Sequence, residues 1–191
     1  VGQFARHLRD AGFRGRIISF EASVKAHSIL VNNARGDANW TIASRMAVGD
    51  RDGKTTINIS QNSVSSSILP ILGTHLQAEP ESRYIASEEV NMRRLDSVAS
   101  DFLSNGDRIF LKLDVQGFES EVLRGAHELL TRICGIRLEM SLVPLYEGED
   151  LFDSMLQRLR GLGFVLWSLV PGFVDKNTGR LLQVDGVFFK T

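Results

Sequence analysis

The chain has 191 residues, 43% of them apolar, and 22 lysines and arginines against 23 acids for a net charge of −1; that suffices for one domain with a substantial core and excludes the basic field that grips DNA or an anionic membrane. A single cysteine, Cys134, excludes an internal disulfide and a thiolate zinc cluster. No stretch reaches the roughly 18 uncharged apolar residues of a membrane span and no charged-then-apolar leader opens the chain, so the expectation is a soluble, cytoplasmic protein.

Val1 and Gly2 lead directly into FARHLRDAGF, a helical pattern with Phe4, Leu8 and Ala11 on one face and Gly12 as its stop. A chain that starts inside a helix predicts a strand and a turn upstream of Val1. RIISFE (Arg16 to Glu21) reads as a strand ending in a carboxylate, and Val24 to Ala34 returns to helical spacing. Trp40 to Asp50 reads as one strand and Gly53 to Ser60 as another, with Asp52-Gly53 as the turn between them. From Gln61 to about Ser87 periodicity is weak, which predicts a long surface excursion; then come a brief strand, EVNMRRL, and a short helix, LDSVASDFL.

Farther on, Arg108 to Asp114 reads as strand, Phe118 to Leu130 as helix, Gly135 to Ser141 as strand and Leu151 to Gly163 as an amphipathic helix. FVLWSLV and QVDGVFFK are β-rich runs whose link is too short for a crossover helix, so they suit an antiparallel pair. The expected architecture is α/β: a mostly parallel sheet, helices on both faces, and an antiparallel strand near the C-terminal edge.

In such a sheet the ligand sits beyond the carboxyl ends of the strands. Three predicted strands carry acids there, Glu21, Asp114 and Glu139. Glu21 stands where nucleotide-binding halves place a carboxylate against a ribose diol; a solvated strand-end charge is the alternative. Side-chain parity puts Lys112 and Asp114 on one face of their strand and Arg137 and Glu139 on one face of theirs. If these strands are neighbours, buried charges must either neutralise one another or face a ligand, since each costs several kcal/mol unpaired. Pairing is the simpler account of Lys112 and Arg137; for Asp114 and Glu139 a functional account stands at least level with it. Glu119 and Glu121 read as charges that favour the positive end of a helix dipole. His75, in the predicted excursion, is the one histidine placed to close over a ligand, and Tyr146 either lines an acceptor pocket or packs beneath its loop.

LKLDVQGFESEVLRGA (Leu111 to Ala126) resembles the hallmark segment of the FkbM-type methyltransferases, a branch of the Rossmann-like enzymes that use S-adenosylmethionine. In the same order VGQF, IISFEA, AVGDRDGKTTI, NSVSSSIL, VNMRRLDSV and LEMSLVPLYEGE resemble further pieces of that family, so the similarity spans essentially the whole chain. Ala22 stands where the family commonly has proline, and Gln116 where it often has glutamate. The resemblance implies one methyltransferase domain over residues 1–191, with the first strand and most of the donor-binding glycine turn lying before Val1. It implies that Gly2 sits beside the methionine part of the donor, that Glu21 holds the ribose hydroxyls, that Ala47 and Asp50 flank the adenine, and that Asp114 lies at the mouth of the donor pocket. A hydroxyl acceptor needs a base within hydrogen-bonding reach. Asp114 and Glu139 are the candidates, with Glu139 ahead if Asp114 faces the donor. The chain offers no convincing third carboxylate or imidazole ligand, so no metal is expected.

The expected reaction is O-methylation of a hydroxyl on a sugar, glycolipid or secondary metabolite, the acceptor class resting on the resemblance alone. Two other readings stand beside it. An NAD-dependent oxidoreductase would want a catalytic Tyr-Lys pair or a histidine, and no Tyr-x-x-x-Lys occurs. A non-catalytic Rossmann-like binding module would need neither base nor acceptor.

Overall fold

The computed structural model describes residues 1–190. In chain order it contains α1 (Gln3–Asp10), β1 (Ile17–Ser19), α2 (Val24–Asn33), β2 (Trp40–Ile42), β3 (Ala47–Val48), β4 (Gly53–Ser60), α3 (Gly73–Ala78), β5 (Tyr84–Arg93), α4 (Leu95–Val98), β6 (Ile109–Leu113), α5 (Glu119–Arg124), β7 (Ile133–Ser141), α6 (Phe152–Gly161), β8 (Phe164–Pro171) and β9 (Gln183–Lys190). The fold is mixed α/β.

The strands form three sheets, of order β1-β2, β3-β5-β4 and β6-β7-β9-β8. Parallel pairing joins β1 to β2, β3 to β5 and β6 to β7, whereas β4–β5, β7–β9 and β8–β9 are antiparallel. The expectation of a mostly parallel sheet is therefore corrected, for two local reasons. The run Trp40 to Asp50 is split between sheets: Ala43 N–H still bonds Ser19 O, but four residues later Ala47 opposes Met92 of β5. And the expected excursion already turns into strand at Tyr84, because Val90 and Met92 alternate into a core shared with Ala47, Ile57 and Phe118 while β5 pairs along the whole of β4.

The C-terminal sheet follows the sequence reading more closely. Lys112 lies opposite Arg137, and β8 and β9 form the expected antiparallel pair. One face packs on α5 and α6 through Val122, Leu123, Met155 and Leu159 against Ile136, Leu138, Met140 and Phe188, all at most 2% exposed. The other face carries the charges. There Phe4 of α1 lies under Arg137 and Lys112, their cationic groups 5.5 and 5.8 Å from the ring centre. Farther out Trp167, 71% exposed, meets Phe189 edge-on, so the helical cover expected on both faces is partial.

Candidate active site

The register of β6, β7 and β9 builds the site's floor. Asp114 lies just beyond the end of β6, and Glu139 of β7 lies opposite Asp185 of β9. Each nearby cation is committed elsewhere: Lys112 Nζ donates to Asp114 Oδ2 at 2.5 Å, and Arg137 Nη2 to Asp185 Oδ2 at 2.6 Å. Glu139 takes no cation. Its Oε2 instead accepts from Gln116 Nε2 at 2.7 Å. Burial, then the charges of Asp114 and Glu119, push its carboxyl up to about 8 against the pull of Lys112. A carboxyl in that range takes and returns a proton near neutral pH, the property of a general base.

Gln116 joins this floor to the loop above. Its Nε2 also donates to Asp114 Oδ1 at 3.2 Å, and its Oε1 accepts from the Tyr146 hydroxyl at 2.7 Å. Tyr146 is 1% exposed, and burial raises its phenol, which stays a donor. The neighbouring Gly117 makes the contact possible: its φ is +91°, and a Cβ there would lie 3.0 Å from Tyr146 Cβ. Tyr146 thus packs beneath its loop, and it reaches the carboxylates through Gln116.

Two cavities meet at Glu21, Asp114 and Gln116. The smaller, about 140 Å³, has walls that include Ala47, Val48, Ile57, Ile68 and Phe118, which suits a flat apolar base, with Glu21 and Asp114 at its edge. Glu21 Oε1 accepts from Ser23 N–H at 2.9 Å. The larger is a cleft of about 1170 Å³. Part of its lining is Ile17–Ser19 and Ile109–Leu113, the facing sides of β1 and β6; another part is Gln116, Glu139, His75, Phe173 and Gln183.

The structure brings most of the expected residues together. Gly2, Glu21, Asp114 and Glu139 all line the cleft, and Ala47 joins Glu21 and Asp114 in the small cavity. Gly2 caps α1 at φ +74°, where a Cβ would lie 2.9 Å from the Trp40 ring, so any side chain would be strained and crowded. Asp50 does not join them. β3 ends at Val48, the chain turns away, and the Asp50 carboxylate pairs with Arg51 at 3.2 Å.

Three features go beyond the sequence reading. Glu119, read as a helix-start charge, does open α5, but it is 4% exposed, accepts from Val115 N–H at 3.1 Å, and is raised by burial to about 7; nothing in a helical pattern distinguishes a buried first-turn acid from a solvated one. The serine-rich stretch is an ordered cover. Ser63, Val64, Ser66 and Ser67 line the small cavity, and Ser67 Oγ donates to Gln116 O at 2.7 Å. His75 is buried at 3% exposure between Tyr146 and Phe173, with burial pushing its imidazole down to about 4. It lines the cleft as a neutral ring, and its Nδ1 has no partner among the described residues.

The family model described as "Methyltransferase FkbM domain" matches residues 2–166. Among curated proteins, the chain is 28% identical over 165 residues to "2-O-methyltransferase NoeI" of Sinorhizobium fredii (strain NBRC 101917 / NGR234), an alignment covering 83% of this chain and 67% of that protein. No solved structure matches. Among the described residues, no helix is long and apolar enough to cross a membrane.

Proposed function

The chain belongs to the FkbM methyltransferase family, and from that premise we propose that it is an S-adenosylmethionine-dependent O-methyltransferase acting on a hydroxyl of a sugar, glycolipid or secondary metabolite. The observation that carries this reading is Glu139: a carboxyl with no salt-bridge partner among the described residues, raised to about 8, lining a cleft that opens beside an apolar cavity. The printed name of the relative, a 2-O-methyltransferase, supports oxygen as the accepting atom.

The small cavity fits the donor. Ala47, Val48, Ile57 and Phe118 offer apolar surface to its adenine, Glu21 offers its carboxylate to a ribose hydroxyl, and Asp114 sets a negative charge at the rim that favours a sulfonium. Asp50, outside the cavity, has no part in it. When bound, the donor supplies an activated methyl group. Glu139 accepts the proton that the acceptor hydroxyl gives up, and Asp114, held by Lys112 and Gln116, stays on the donor side. The neutral His75 ring and Phe173 form an apolar wall of the acceptor's end of the cleft.

The same reading completes the architecture as a single Rossmann-like domain. Residues of β1 and β6 both line the cleft, and one further strand between them would join the pairs β2-β1 and β6-β7 into one sheet. Calorimetry with S-adenosylmethionine and with NAD on the full-length protein tests the reading. The expected result is binding of S-adenosylmethionine alone. Binding of NAD alone would establish the oxidoreductase alternative, and binding of neither would leave only a non-catalytic module.

A further inference from the structure

Gln116 combines three features that ordinary packing does not require together. Its backbone is left-handed at φ +54°, an uncommon conformation for a residue other than glycine. Its carboxamide bridges the two candidate acids, 3.2 Å from Asp114 Oδ1 and 2.7 Å from Glu139 Oε2. And it lines both the small cavity and the large cleft, at their junction. We propose that Gln116 is a positioning residue: its carboxamide, locked from behind by the Tyr146 hydroxyl, occupies Oε2 of Glu139 and leaves Oε1 as the atom that meets the acceptor's proton. The proposal rests on the reading of Glu139 as the base.

The orientation of the amide follows from its surroundings. With Oε1 toward Tyr146, an O–H meets an acceptor and both N–H groups meet carboxylate oxygens. Turned over, the amide would aim Oε1 at the Asp114 carboxylate, which repels it, and would leave the Tyr146 O–H without an acceptor. The Ser67 hydroxyl, donating to Gln116 O, holds the backbone of the same residue. A neutral side chain is essential here. The groups facing Glu139 are Lys112 from β6 and Asp114 just after it, Glu119 from α5, Asp185 from β9, Arg137 from its own strand and, through Gln116, Tyr146 from the loop after β7. Lys112 and Arg137 are already paired to Asp114 and Asp185. A glutamate at 116 would therefore add a third carboxylate within hydrogen-bonding distance of two, with no cation left to offset it. The amide also serves both states of the base: Oε2 accepts from Gln116 whether or not a proton has moved from the acceptor hydroxyl to Oε1.

Carboxyl NMR titration with ¹³C-labelled glutamate reads this directly and needs no acceptor, the Glu139 signal being assigned by its loss in Glu139→Gln. The midpoint is expected near 8 in the unaltered chain. Gln116→Asn, which tolerates positive φ but cannot span both carboxylates, should raise it by about one pH unit, and Gln116→Glu by more. Tyr146→Phe leaves residue 116 intact and should move the midpoint in the same direction by less, because the amide loses its lock. A midpoint unchanged in Gln116→Asn, with thermal unfolding as in the unaltered chain, overturns the proposal. Should that variant fail to fold, an unchanged midpoint in Tyr146→Phe overturns it. The reading of Glu139 as base fails separately: that requires Glu139→Gln to retain methyl transfer, whatever the Gln116 variants do to the titration.

Discussion

Glu21 and Glu139 are both carboxylates near the carboxyl edges of strands, and burial raises both, yet their surroundings differ in kind. Glu21 stands beside backbone N–H groups of Ala22 and Ser23, with the His27 ring also favouring its charge, so the rise is opposed on several sides. Glu139 stands among Asp114, Glu119 and Asp185, with Lys112 working the other way. A carboxylate fixed by backbone donors serves as a hydrogen-bond acceptor for a ligand; one among like charges serves as a carrier of protons. Residue type is the same at both ends of the site, and the chemistry is divided by what each carboxyl is packed against.

The largest effect that would sharpen this contrast is expected at Glu139. Glu139→Gln keeps the shape and the bond from Gln116 but cannot take a proton, so methyl transfer should fall by about 100-fold or more, while calorimetry finds S-adenosylmethionine binding within about twofold of the unaltered chain. Equal turnover would erase the difference between the two ends. Next comes Glu21→Ala, which removes the acceptor for the ribose hydroxyls; donor affinity should weaken by about tenfold, the scale of one charge-assisted hydrogen bond. Donor affinity unchanged in this variant would break the ribose assignment.

A smaller effect concerns stability. Glu139 and Glu119 are raised from 4.5 to about 8 and about 7, so the folded chain binds their protons more tightly than the unfolded chain does. Stability therefore falls as pH rises, being fullest below 4.5 and lost progressively through 7 and 8. Glu119→Gln and Glu139→Gln should accordingly raise Tm at about pH 8.5, by about 2–4 °C for each kcal/mol recovered, and leave it nearly unchanged at about pH 4.5. The smallest expected effect is at Asp50. Asp50→Ala should leave donor affinity within about twofold, because that carboxylate pairs with Arg51 outside both cavities; a marked loss would place the adenine elsewhere.

Local patterns carried well where one physical rule dominates. The alternation of Gly53 to Ser60 became β4 with the same ends, and the amphipathic repeat of Leu151 to Gly163 became α6 with Met155 and Leu159 buried. Parity in two short strands correctly set Lys112 beside Arg137, since side-chain alternation holds wherever a strand forms. Patterns failed where partners decided. Trp40 to Asp50 reads as one strand, and only separate pairing with β1 and β5 divides it; the first half of β5 is largely exposed and shows no buried face, so its strand character comes from lying against β4.

The sequence by itself thus determined the order of elements in the C-terminal half, the acids at the strand ends, and the glycine after Gln116, because propensity, periodicity and turn chemistry act over a few neighbouring residues. Only the tertiary structure decided which acid stands alone. Lys112 could have neutralised Glu139 across the strands and Arg137 could have met Asp114; instead each pairs elsewhere, and Gln116 meets the carboxylate that remains. That choice is made by register and by the distant Tyr146, some thirty residues along the chain, and electrostatics of buried groups depends on such neighbours in space, whatever their separation in sequence.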